Sequence, residues 1–319
     1  MFNSETSEFQ TSWKQHGYSI LPNLIDKTLL DSCCKFLGDN KDDFLHNDFG
    51  SKGKLEFFSN SVIDNLSFNE NIIKQCQELL GTNNLLLCQS DTWGKSGKSD
   101  YTSQSNNDQR MHMDYGNNTF LHPDTWDNPE AVAIIIYLSD THETGGSTAL
   151  VPRNGDNDRL YTFPYVNMPG YSNFPFINDK NSSEEYFLEH NKPVHNFREE
   201  LYKREVKINA NKGDVLFYRL DLWHRGTPVN EGHTRFVTNL IYKKRECYWI
   251  NTWNPGFTKK MYYSHLERFI ENLSPLQRSV LGIPLPGDNY WDLQKVYLLK
   301  SRYINVNVSE YISKLNSKL

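Results

Sequence analysis

The chain has 319 residues, with 34 Lys and Arg against 39 Asp and Glu and a net charge of −5. That balance lacks the basic footprint needed to neutralise a phosphate backbone, so nucleic acid is not the expected partner. The longest strongly apolar run, residues 131–138, falls far short of the roughly 20 residues of a membrane-spanning helix, and 18 Phe, 18 Tyr and 7 Trp are too many aromatics for a disordered polymer. A folded, soluble protein without a membrane span is expected.

The first ten residues, MFNSETSEFQ, have neither the positive start nor the apolar stretch of a secretory signal, which points to an intracellular, reducing compartment. Five cysteines, odd in number and without a CxxC pair, argue against a disulfide framework and a thiolate zinc site. They read as buried thiols.

In chain order, residues 1–108 read as mixed. A helix is predicted near 7–16, then a short strand over YSILP. A second helix follows over 27–37, with Leu29, Leu30, Cys33 and Leu37 on one face and Asp26 as its N-cap. From 109 to 245 the pattern changes to short β-type runs: MHMDYG, AVAIIIYLSD, STALVP, REVKIN, DVLFYRL and RFVTNLIYKK. Turn residues such as Gly145-Gly146 and Lys212-Gly213-Asp214 separate them, which predicts an antiparallel sandwich or barrel. Residues 157–200 are long, aromatic and irregular in pattern and read as a lid. Residues 246–319 look helical again, with Ser274-Pro275 as a helix start and Leu293, Val296, Tyr297 and Lys300 on one face of a later helix. Together these parts make one domain over 1–319.

Chemistry on dioxygen at a non-haem Fe(II) needs three protein ligands on one side of the ion and open positions on the other; two histidines and a carboxylate meet that need. His112 and Asp114 are two apart, so on a strand both side chains point the same way. His224 follows the strand-like run Asp214-Val215-Leu216-Phe217-Tyr218 and supplies a third ligand. Eleven residues later Arg235 opens RFVTNLIY, and a planar guanidinium is the natural partner for the distal carboxylate of 2-oxoglutarate. An HxD pair alone is weak; GDVLFYRLDLWHRGTPVNEGHTRF is far more specific.

These segments resemble the phytanoyl-CoA dioxygenase family of 2-oxoglutarate oxygenases. The likeness runs through His112-Met113-Asp114, GGSTALVPRNG, the block around His224 and Arg235, and LSPLQRSVLGIPLPGDNYW, most of the chain after residue 108. The resemblance implies a mainly β protein with flanking helices and a double-stranded β-helix (jelly-roll, cupin-like) core. It implies Fe(II) on His112, Asp114 and His224, 2-oxoglutarate on Arg235 with Gln109 and Thr227 lining its site, and O2 as the oxidant. Two positions depart from the family. Gly226, with Thr227 beside it, stands where many members have a small hydroxyl residue, and Ile135 stands where many have a tryptophan that stacks on the co-substrate. Asp114 keeps the carboxylate that related halogenases replace.

The expected activity is oxidation of an unactivated C–H bond of a small-molecule or acyl substrate by hydroxylation, with succinate and CO2 as coproducts. The alternative is oxidative cyclisation or desaturation of a specialised metabolite such as an amino-acid derivative. A nucleic-acid-modifying oxygenase is disfavoured by the charge, and a non-enzymatic β-sandwich by the intact ligand set. Tyr115, Asn117 and Thr119 follow the HxD closely and, with Ile135, are candidates to meet substrate. Arg153, Arg219 and Arg225 fall near strand ends around the same mouth and suit an anionic group or a solvated rim equally. His233 reads as a surface turn residue and His122 as a hydrogen-bonded structural histidine. Ser317-Lys318-Leu319 reads as a peroxisomal address in a eukaryote and as an ordinary polar tail of a cytoplasmic protein otherwise.

Overall fold

The computed structural model describes residues 7–40, 55–56, 61–82, 85–97, 106, 108–115, 119, 121–250, 271–272, 275, 278 and 283–317. Ser7 starts α1 (Glu8–His16) by accepting from the backbone N–H of Gln10, and Gly17 ends it in the left-handed region. Strand β1 (Tyr18–Leu21) leads to α2 (Lys27–Asp39), which Asp26 caps through the N–H groups of Thr28 and Leu29 as expected. Leu30, Cys33 and Leu37 form its buried face. Then come β2 (Leu55–Glu56), α3 (Ser61–Ser67), α4 (Glu70–Leu80) and the long β3 (Leu85–Ser96). The central strands and their connections are β4 (Ala131–Tyr137), α5 (Thr141–Thr144), β5 (Thr148–Leu150), α6 (Lys180–His190) and α7 (Lys192–Arg204). After them run β6 (Val206–Lys207), β7 (Val215–Tyr218), β8 (His224–Gly226), β9 (Thr234–Lys244), α8 (Leu293–Arg302) and α9 (Ser309–Asn316).

A six-stranded antiparallel sheet in the order β1-β7-β4-β9-β3-β2 accompanies a three-stranded sheet in the order β6-β5-β8. The mainly β, jelly-roll architecture expected from the sequence is therefore present, with helices flanking it. Every residue of β4 is buried, and the period of two divides the strand between two cores. Ala131, Ala133, Ile135 and Tyr137 join the inner core with Leu216, Tyr218, Val237 and Ile241. Val132, Ile134 and Ile136 join Val215, Phe217 and Leu240 in the outer core, which Trp13, Leu37, Ile72 and Cys76 of the N-terminal helices complete. The N-terminal helices thus cover one sheet face, leaving the inner face to the candidate site.

Three expectations need correction. MHMDYG is not a continuous strand. His112 makes an isolated bridge to His224 and Gln109 one to Asp179, and the chain turns at Asp114. The segment bonds alternately to different neighbours, so no ladder forms. The stretch 157–200 is irregular only in its first half, because α6 and α7 occupy the rest. Asp179 caps α6 by accepting from Ser182, and Asn191 caps α7 by accepting from Val194, with a proline in the first turn. On α8, which Asp292 caps, the buried face is Val296, Leu299 and Arg302, while Leu293 and Tyr297 are 63% and 59% exposed. Ser274 lies outside the described residues, as do Asn117, Lys318 and Leu319. Four cysteines are buried and Cys34 is half-buried, all free.

Candidate metal centre

Backbone pairing brings the two histidines together. His112 N–H donates to the His224 carbonyl at 2.9 Å and His224 N–H donates to the His112 carbonyl at 2.8 Å, leaving the imidazole centroids 4.4 Å apart. Each ring has its Nδ1 against a carbonyl, that of Arg110 at 3.1 Å and that of Leu222 at 3.0 Å. A carbonyl can only accept, so Nδ1 carries the proton and the lone pair is left on Nε2. Burial, aided by the nearby His224 and Arg110, holds His112 well below its ordinary pKa, so it is neutral at pH 7.

Asp114 completes the set. Its Oδ1 lies 3.7 Å from His224 Nε2, and one ligand atom from each of His112, Asp114 and His224 falls within 4.8 Å of the others. Two atoms each about 2.1 Å from one ion are at most roughly 4.2 Å apart. The His224–Asp114 separation fits that limit. Two imidazole nitrogens and one carboxylate oxygen are the donor set suited to non-haem Fe(II).

Solved structures of the same architecture include SnoK, a non-heme α-ketoglutarate-dependent carbocyclase from nogalamycin biosynthesis. It aligns with a TM-score of 0.54 at 14% identity, over 85% of this chain and 92% of SnoK. SnoN, an epimerase solved in complex with Fe3+, α-ketoglutarate and nogalamycin RO, gives a TM-score of 0.51 at 12% identity, over 78% of this chain and 87% of SnoN. This chain has their fold. Its core is the double-stranded β-helix. No family model matches the sequence, and no curated protein matches it, so the likeness to the phytanoyl-CoA dioxygenase family stays a resemblance.

Arg235 lies on the inner face of β9, 3% exposed, with Nη1 donating to the Gly146 carbonyl at 2.9 Å and its guanidinium 4.9 Å from the Trp93 ring centre. A Cβ on Gly146 would sit 2.6 Å from Val229 and 3.1 Å from the Arg235 side chain, so a glycine is needed for this approach. Gln109 is buried and its Oε1 accepts from the Gly226 N–H at 2.8 Å, in the space a side chain at 226 would take. The Gln109 amide therefore occupies the space beside Gly226. Thr227 is buried and its hydroxyl donates to the Ser147 carbonyl at 2.8 Å.

Tyr115 is buried among the rings of His122, Trp126, Tyr171 and Trp249 and lines a pocket with Trp126, Ala131, Leu220 and Trp249. Thr119 is buried and donates to the Tyr115 carbonyl, which ties it to the backbone. Ile135 lies on the inner face, in register with Leu216 and Asn239. The three arginines assigned to the mouth are instead buried in ion pairs. Arg153 and Arg219 share Asp221, with bonds of 2.7 and 2.8 Å, while Arg225 is bidentate on Glu205 and reaches Asp108. Their charges close the structure locally. His233 is exposed, and His122 is buried with Nε2 3.2 Å from both Tyr171 and Ser301, matching the roles read from the sequence.

Several residues went unread in the sequence. Tyr218 donates to Asp114 Oδ2 at 2.8 Å, and Trp93 on β3 provides the aromatic face against Arg235. On α7, Arg198 donates to the Met111 carbonyl at 3.2 Å, while the Met111 N–H donates to the Tyr202 hydroxyl at 3.0 Å, holding the residue before His112 from outside. Strand parity was the available signal for Tyr218, since Leu216 two residues earlier faces the same core.

Proposed function

We propose that this protein is an Fe(II)- and 2-oxoglutarate-dependent oxygenase that hydroxylates a small molecule. The observation that carries the reading is the convergence of His112, Asp114 and His224 with both Nδ1 atoms committed to carbonyls. Iron and 2-oxoglutarate supply, when bound, the oxidising power to break an unactivated C–H bond at the expense of O2. The chain's own residues do the rest. His112, Asp114 and His224 would hold the ion through two imidazole nitrogens and one carboxylate oxygen. Arg235, buried and held by Gly146 and Trp93, would bind the distal carboxylate of the co-substrate. Gln109 lines that site beside Gly226. Tyr115 and the aromatic wall of Trp126 and Trp249 keep water away from the reacting centre and present an apolar surface to substrate. The fold supports this reading, since SnoN was solved with iron, α-ketoglutarate and nogalamycin RO.

The test is a panel of small molecules assayed for stimulation of succinate formation, with the His112→Ala variant as control. A stimulating compound that gains one oxygen atom is the expected result. Loss of two hydrogens without oxygen gain would replace hydroxylation by desaturation or ring closure. Succinate formation unchanged in His112→Ala would refute the metal assignment.

A further inference from the structure

The two oxygens of the Asp114 carboxylate have different partners. Oδ1 lies 3.7 Å from His224 Nε2, while Oδ2 accepts a 2.8 Å hydrogen bond from the Tyr218 hydroxyl. Tyr218 is the last residue of β7, 6% exposed, with its ring centre 4.9 Å from that of His224. It pairs with Tyr18 on one neighbouring strand and Ala133 on the other, so the sheet, not a loop, fixes where its hydroxyl can reach.

We infer that Tyr218 is a positioning residue for the metal: its hydroxyl holds Oδ2 and so determines which oxygen of Asp114 is presented with His112 and His224. The inference rests on the metal role proposed above for those three residues. A carboxylate that turns freely about Cβ–Cγ offers either oxygen, or both, to an ion. A donor fixed on Oδ2 favours ligation through Oδ1 alone, which leaves a further coordination position for co-substrate and dioxygen. Outer partners of this kind, which orient a ligand without touching the metal, typically change metal affinity by about 10- to 100-fold when removed.

Tyr218→Phe removes the hydroxyl and keeps the ring. The measurement is Mn(II) affinity by electron paramagnetic resonance on the full chain, beside unfolding temperature. The reference variants are Asp114→Ala and Tyr161→Phe, the latter losing a buried hydroxyl that donates to the Val151 carbonyl. The expected result is Mn(II) binding weakened about tenfold or more in Tyr218→Phe, parent-like binding in Tyr161→Phe, and similar unfolding temperatures for the two. Parent-like binding in Tyr218→Phe, with binding lost in Asp114→Ala, overturns the role of Tyr218 and leaves the metal site standing. Equal weakening in both tyrosine variants also overturns it, since general loosening then explains the loss. Parent-like binding in Asp114→Ala removes the metal site itself.

Discussion

Arg235 is placed before any ligand arrives. Its Nη1 bond to Gly146 and its position over Trp93 fix the guanidinium, so little side-chain freedom remains to be lost on binding. A charge-assisted contact to a buried carboxylate contributes roughly 1.5–3 kcal/mol. Arg235→Ala is therefore expected to weaken 2-oxoglutarate binding at least about tenfold, read by calorimetry on metal-loaded protein, with metal affinity unchanged. Lysine at this position should recover part of the loss, having the charge without the fork. An alanine variant that binds 2-oxoglutarate as the parent does removes Arg235 from the site. The convergence of His112, Asp114 and His224 was legible because a two-histidine, one-carboxylate donor set is distinctive and His112 and Asp114 stand two apart. Arg153, Arg219 and Arg225 were not, because their partners Asp221, Glu205 and Asp108 are set by packing, and a local pattern cannot tell a rim arginine from a buried one.

Helices α6 and α7 behave as a brace on the segment that carries His112 and Asp114. Arg198, fully buried, bonds both oxygens of Glu184 at 2.9 and 3.1 Å through Nε and reaches the Met111 carbonyl through Nη2, while Tyr202 donates to Glu184 at 2.9 Å and accepts from Met111. The Asn178 carbonyl accepts from the Arg110 N–H at 2.7 Å on the same side. A helical brace was hard to read because its buried positions include an arginine, which looks like a solvated residue until its partner is known. Strand β3 escaped for a related reason. Its inner-facing Gln89, Asp91 and Lys95 are polar, so LLLCQSDTWGKS lacks an apolar-polar alternation. Arg198→Met should cost about 3–5 kcal/mol, since Glu184 is left without its buried partner. Urea unfolding followed by circular dichroism measures this; a loss below about 1 kcal/mol contradicts the brace, being the range of an exposed pair.

At the scale of the molecule, the large sheet has one face covered by N-terminal helices and the other turned to the candidate metal centre. The uniformly apolar run AVAIIIY conceals this, because both faces are apolar and only the structure separates them. The fold class was nonetheless legible, since short β runs punctuated by glycine, proline and asparagine admit few architectures. Among the described residues, no helix is long and apolar enough to cross a membrane. The central claim is that the inner face holds iron and 2-oxoglutarate together on His112, Asp114, His224 and Arg235. Anaerobic titration of Fe(II)-loaded protein with 2-oxoglutarate tests it most directly, through the visible charge-transfer absorbance of the chelate. A saturable band is expected in the parent and none in Asp114→Ala or His224→Ala. Absence of the band in the parent, or its persistence in either variant, would contradict it.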